Sequence, residues 1–211
     1  MSELGSAMRG HRLFAATYDW LNQSSERGML GTYRALIAGE ATGRVLEIGA
    51  GTGANFRFYD PTRVDKVVAT EPDPYMLKRA QKRAAGARLP VEVQQYAAER
   101  LPFPDASFDT LVATLVLCTV DDPARALAEM RRVLVGGGTL RLIEHVRAPD
   151  GFAAKVQDVL TPLWRRVGAG CCLNRRTASA IAAAGFEFLQ IEEHRVPFSP
   201  IHTILVGVGR K

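Results

Sequence analysis

Long hydrophobic runs are missing from this chain: no stretch approaches the roughly 18 consecutive apolar residues that a membrane-spanning helix needs. Cysteine is scarce. Its three residues, two of them adjacent (Cys171 and Cys172), make no disulfide framework and suit the reduced thiols of a cytoplasm. Only four histidines occur, none with carboxylates at ligand spacing, which argues against a metal site. The basic excess is small, +5 with pI near 9.4, and the arginines are scattered. With no long basic run and no aromatic-interleaved stripe, nucleic acid is not an expected partner. Repeats, low-complexity segments and interdomain linkers are also absent. Residues 1–10 lack the apolar core of a signal peptide and read as a flexible tail.

What remains is an ordinary globular composition, 47% hydrophobic and 23% charged over 211 residues. That is enough for one α/β domain, residues 11–211, and too short for two. The oligomeric state is left open.

The chain is organised around residues 44–55. Val45 to Ile48 reads as a buried parallel strand. Gly49, Gly51 and Gly53 follow at alternate positions, so the backbone can turn sharply with no Cβ atoms in the way of a ligand. Ala50 and Asn55 belong to the same turn. From Ala54 to Tyr59 a helix is expected, its N-terminus facing the ligand. Gly49, Gly51 and Ala54 formally satisfy a dinucleotide fingerprint, so the glycines alone do not decide the ligand. Two carboxylates do more. Glu47, just before the turn, is uncomfortable beside a pyrophosphate and suits a ligand ammonium. Glu71 ends the next apolar strand twenty residues past Gly51, where a carboxylate accepts from both ribose hydroxyls. A ribose and an ammonium without phosphate describe S-adenosylmethionine.

Strands are expected near 44–49, 66–71, 90–95, 108–115, 138–145, 186–194 and 202–209. Helices are expected near 53–59, 74–85 and 122–134, preceded by two amphipathic helices within 11–43, one from His11 to Leu21 and one from about Ser25 to Ala38. Pro74 suits a first helical position and places Met76 near an adenine, although Met76 as core filler reads equally well. Asp121 and Asp122 complement the start of the following helix.

Together, Glu47-Ile48-Gly49-Ala50-Gly51-Thr52-Gly53, Glu71-Pro72, Leu101-Pro102-Phe103-Pro104-Asp105 with Phe108-Asp109, and Arg131-Arg132-Val133-Leu134 with Gly136-Gly137-Gly138 resemble the class I S-adenosylmethionine-dependent methyltransferases. A narrower resemblance lies in Ala54-Asn55-Phe56, Thr114-Leu115-Val116-Leu117-Cys118, Glu144-His145-Val146 and Gly170-Cys171 with Leu173-Asn174-Arg175. These are similar to methyltransferase-like proteins of animals that methylate alkyl thiols, and to their bacterial relatives.

The resemblance implies a Rossmann-like doubly wound sheet of order 3-2-1-4-5-7-6 with strand seven antiparallel. It implies N-terminal helices that close over the cofactor, where Tyr18 either reaches the methionine end or is simply core. An insertion at 146–185 is implied to cover the acceptor, with Phe152, Val156, Val159, Leu160, Leu163 and Trp164 as its apolar face. Glu47, Gly49, Ala50, Gly51, Gly53, Asn55, Glu71, Pro72, Met76, Thr114 and Leu115 become cofactor residues. The family's usual adenine-binding acid is Ala97 here, so the Ala98 backbone or the Glu99 side chain must serve instead. Animal members carry a hydrophobic membrane anchor at the N-terminus that residues 1–10 do not match, so peripheral contact is the form of membrane association left open. Arg165, Arg166, Arg175 and Arg176 could meet headgroups or an acidic substrate, or form a solvated face.

Methyl transfer from a sulfonium is a displacement in which positioning supplies much of the rate. A thiol acceptor is only a few per cent ionised at neutral pH and gains from a base. His145, leaving strand five, is the expected catalytic base; the alternative is a structural hydrogen bond to backbone. Cys118, Trp164, Cys171, Asn174 and His202 are the expected acceptor-side residues. The expected activity is therefore methyl transfer to a small, largely apolar acceptor, such as a thiol. The alternatives are an O-, N- or C-methyltransferase of a small molecule or lipid, a non-catalytic cofactor-binding module, or a dehydrogenase.

Overall fold

The computed structural model describes residues 12, 15–17, 28–149, 151–196 and 203–211. The tail at 1–10, Ser25, Tyr18 and His202 lie outside the described residues. Of the first expected helix, residues 12 and 15–17 are described and helical.

Helix α1 (Met29–Gly39) leads into β1 (Gly43–Ile48), and β2 (Val64–Thr70) follows. Helix α2 (Pro74–Ala84) returns to β3 (Val91–Gln94), and β4 (Phe108–Thr114) is followed by α3 (Pro123–Val133) and β5 (Leu134–Val146). The chain then forms α4 (Phe152–Val167), α5 (Thr177–Ala183), β6 (Glu187–Arg195) and β7 (Thr203–Arg210). The strands make one seven-stranded sheet of order β3-β2-β1-β4-β5-β7-β6. Pairs from β3 to β5 are parallel, whereas β7 runs antiparallel to both β5 and β6.

The sheet is buried on both faces, which explains its continuous apolar strands. Leu46, Ile48, Leu111 and Leu142 face α3 and α5 through Leu127, Met130 and Ile181. Their neighbours Val45, Val67, Val112 and Ile143 face α1 and α2 through Ile37, Ala38 and Ala80. Caps start the helices on the sheet's ligand edge: Asp73 accepts from the N–H groups of Tyr75 and Met76, and Asp122 from that of Arg125.

Two expectations are corrected. Residues 51–58 are consecutive turns instead of a helix. The Asn55 side chain points inward, donating to Glu47 at 3.0 Å and to Thr114 at 3.1 Å while accepting from Arg34 at 2.8 Å. Short bonds such as Gly53 N–H to the Ala50 carbonyl (2.8 Å) therefore replace a helical ladder. The second correction concerns α4. Its apolar face is outward, with Phe152 83%, Val159 77% and Leu163 62% exposed, while Ala154, Gln157 and Thr161 are buried. Gln157 fixes that rotation, because its side-chain carbonyl accepts from the Ala148 N–H at 2.7 Å.

Candidate active site

A cavity of about 930 Å³ opens along the C-terminal edge of the sheet, where parallel strands of such folds present their ligands. Gly49, Gly51, Glu71, Pro72 and Met76 line one end, and Cys118, His145, Trp164 and Cys171 the other. Thr114 and Leu115 lie on the cavity wall between β4 and the loop after it.

Gly51 has a φ of +58°, and a Cβ placed on it would meet no protein atom within 4 Å. The bare backbone therefore faces open cavity, as a surface for close ligand contact must. Gly49 differs: its φ is +61°, and a Cβ there would lie 2.6 Å from Val116 Cγ2. Leu115 carries a φ of +58° without being glycine, the kind of strained backbone that clusters at ligand sites.

Glu71 accepts from the Gly51 N–H at 2.8 Å and the Asp73 N–H at 2.9 Å. Burial pushes its carboxyl up to about 7 despite those two donors. The bare loop, a carboxylate on it and the apolar wall of Pro72, Met76 and Leu115 fit an adenosine-containing methyl donor. Glu47 is placed elsewhere. Its carboxylate accepts from the Tyr59 hydroxyl at 2.7 Å and from Asn55, is 2% exposed, and does not line the cavity. Burial holds it at about 7, partly opposed by Tyr59, Arg34 and Asn55. Glu47, Asn55, Tyr59 and Arg34 thus form a buried polar network that holds the turn from below.

The other end gathers residues from three segments. Cys171 Sγ lies 3.1 Å from His145 Nε2 and accepts from Trp164 Nε1–H at 3.0 Å. The ligand atoms of Cys118, His145 and Cys171 all lie within 4.8 Å of one another. The hydrogen bond from the Cys118 thiol holds Cys171 down at about 5; burial opposes this, and His145 and Trp164 assist. Burial also pushes Cys118 well above the usual thiol range, and the Cys171 contact adds to it. Burial disfavours a charged His145, but Cys171, Glu144 and the Cys172 backbone outweigh it and raise its pKa.

The scaffold around this cluster is stiff. Glu144 is fully buried and accepts three backbone N–H groups, from Val116 (2.7 Å), Leu117 (2.8 Å) and Cys118 (3.3 Å). Arg175 clamps the same loop through the carbonyls of Leu117 and Val120. Neither support is evident in the sequence, where Arg175 reads as a headgroup contact, an acidic-substrate contact or part of a solvated face.

Other expected site residues fall in different places. Ala98 and Glu99 line the cavity, with Glu99 accepting from the Asp121 N–H at 2.9 Å. Ala50, Gly53 and Asn55 lie behind the lining. A Cβ on Gly53 would meet the Phe56 ring at 2.5 Å, so packing explains that glycine. Asn174 donates to Asp158 at 3.0 Å and is likewise away from the cavity. From α4 the C-terminal end, Pro162 and Trp164 to Val167, contributes wall, while Phe152 and Leu160 do not. Sequence reading missed Val120 and Asp121 in the lining and Arg34 and Tyr59 beneath the turn.

A sheet of this order with a glycine turn and a carboxylate at its first two strand ends defines a Rossmann-like methyltransferase. The Methyltransferase domain family matches residues 46–142. Thiol S-methyltransferase TMT1B of Homo sapiens is 36% identical over 196 residues, 90% of this chain and 79% of that protein. Its Rattus norvegicus counterpart is 40% identical over 173 residues, 79% of this chain and 70% of that one. Demethylmenaquinone methyltransferase of Deinococcus radiodurans is 34% identical over 162 residues, 74% of this chain and 67% of that one. The crystal structure of the [4+2]-cyclase SpnF superposes with a TM-score of 0.74 at 18% identity, covering 98% of this chain and 96% of that one. That likeness shows the fold alone.

The chain belongs to the class I S-adenosylmethionine-dependent methyltransferases, in the family that includes the thiol S-methyltransferases. Its methyl donor is S-adenosylmethionine and its product S-adenosylhomocysteine. Among the described residues, no helix is long and apolar enough to cross a membrane.

Proposed function

We propose that this enzyme methylates a small lipophilic thiol. The observation that carries the reading is the convergence of Cys118, His145, Cys171 and Trp164 at one end of the cavity, opposite the glycine turn and Glu71. In this reading the ribose hydroxyls donate to Glu71. Gly49 and Gly51 supply backbone contact, and Pro72, Met76, Ala98 and Glu99 surround the adenine. His145 and its partners stabilise the acceptor as its sulfur loses a proton. The methyl carbon then passes to that sulfur between groups already oriented for it.

An apolar acceptor suits the apolar share of the cavity wall, Val116, Val120, Pro162, Trp164 and Val167, whose charged members include Arg165 and Arg166. The segment 146–185 supplies cover through the C-terminal end of α4. Three free, buried cysteines suit a reducing cytoplasm. The relatives support the chemistry, since two of them are thiol S-methyltransferases by name.

The test is methyl transfer from S-adenosylmethionine to an alkyl thiol, a phenol, an amine and a quinol of similar size. The thiol should be turned over in preference to the other three. Turnover of another acceptor without the thiol refutes the thiol reading and leaves the methyltransferase.

A further inference from the structure

Scarce histidines and the lack of carboxylates at ligand spacing argue from sequence against a metal site. What the fold assembles instead uses sulfur. Cys118 follows β4, His145 closes β5, and Cys171 comes from the turn after α4. Each is buried, with exposures of 1%, 3% and 6%, and yet each lines the cavity.

We propose that Cys118, His145 and Cys171 bind one zinc ion, leaving a fourth coordination position open to the cavity for the acceptor thiol. Two thiolates and one imidazole with an open position are a recognised catalytic zinc ligand set. Tetrahedral zinc with Zn–S near 2.3 Å and Zn–N near 2.0 Å needs ligand atoms roughly 3.5 to 3.8 Å apart. The cluster spans that range, from 3.1 Å between Cys171 Sγ and His145 Nε2 to within 4.8 Å overall, so small side-chain rotations suffice.

The surroundings are those of a built metal site. Trp164 Nε1–H donates to the Cys171 sulfur, a bond that a zinc-bound thiolate retains. Glu144 holds the backbone that carries Cys118, and Arg175 holds the same loop from outside. Zinc, as a borderline-soft d10 ion with no redox chemistry, matches this S2N set better than the hard cations do.

The site deepens the thiol reading, and only the identity of the fourth ligand rests on that reading. On coordination the acceptor R–SH releases its proton to solvent and becomes a zinc-bound thiolate. Its sulfur forms a new S–CH3 bond as the donor's S–CH3 bond breaks. The electron pair of the broken bond stays on the donor sulfur, giving neutral S-adenosylhomocysteine. The product R–S–CH3 is a neutral thioether and a weaker ligand, so it leaves the metal.

The test uses the full chain without a histidine tag, stripped with a chelator and titrated with zinc alone and separately with cobalt(II). One equivalent of either ion should bind, and cobalt should show thiolate charge-transfer and tetrahedral d–d absorption. Cys118→Ala, Cys171→Ala and His145→Ala should each weaken zinc by at least about tenfold. Cys172→Ser should bind as the parent does. Retained binding of S-adenosylhomocysteine reports that each variant is folded. Fewer than one equivalent, or zinc affinity unchanged in those three variants, overturns the site.

Adding an alkyl thiol to the cobalt form should shift the d–d bands. No shift while the thiol is still methylated overturns the open-position assignment and leaves the thiol reading intact. A shift without methylation of any thiol does the opposite.

Discussion

Replacing Gly51 by alanine separates what the glycine turn does for the fold from what it does for the ligand. The residue sits at φ +58°, where a side chain costs roughly 1–2 kcal/mol. No protein atom lies within 4 Å of the added Cβ, so no overpacking adds to that cost. For a chain of this size the melting temperature should then fall by roughly 2–8 °C. A bound adenosylmethionine meets the same methyl group at close range. Overpacking costs about 1–3 kcal/mol, which corresponds to a roughly five- to 150-fold loss of affinity. Gly49→Ala is the contrast. Its Cβ would lie 2.6 Å from Val116 Cγ2, so strain and overpacking combine and the fold itself should suffer more. Thermal unfolding without ligand, paired with calorimetric titration of S-adenosylhomocysteine, reads both quantities. If Gly51→Ala binds within about twofold of the parent, the turn does not approach the ligand and the donor site has been misplaced.

Three further outcomes follow from the same geometry. Glu71 is held at about 7, so its ionised fraction falls as pH drops through that value. Because ribose hydroxyls need the carboxylate as acceptor, affinity for S-adenosylhomocysteine should fall toward tenfold per unit below about pH 7. Glu71→Gln should flatten that slope; a parent affinity that does not change with pH excludes the role. Glu47→Ala orphans the Tyr59 hydroxyl and one of the two Asn55 amide N–H groups, each costing about 1–3 kcal/mol. Urea unfolding should therefore show a loss of roughly 2–6 kcal/mol, and an unchanged midpoint would mean the network is not holding the turn. Arg175→Ala removes the clamp on the Leu117 and Val120 carbonyls, so turnover should fall while S-adenosylhomocysteine affinity changes little. Undiminished turnover would show that the Glu144 bonds alone position the loop.

Much of the architecture is legible in the chain because continuous apolar strands, glycine turns and helix caps state it locally. Val67 to Thr70 ending in Glu71 is such a case: the strand and its ligand-facing carboxylate are adjacent in sequence. The turn at 51–58 was not legible, because what unwinds it is Asn55 reaching Arg34, 21 residues back, and Thr114, 59 residues ahead. Helix α4 misleads through its own periodicity. Its apolar stripe is real, but the hydrogen bond from the Ala148 N–H to Gln157 turns that stripe outward. Cys118, His145 and Cys171 were each visible as candidates. Their meeting was not, since 27 and 26 residues separate them and only the β4, β5 and post-α4 geometry brings their ligand atoms within 4.8 Å.

The most direct measurement supplies S-adenosylmethionine labelled at its methyl group together with a single alkyl thiol, and follows both products by mass spectrometry. The account predicts one labelled methyl thioether for every S-adenosylhomocysteine formed, with the label on sulfur. Donor binding without label on the thiol, or label carried instead by a phenol, amine or quinol offered in competition, would contradict it.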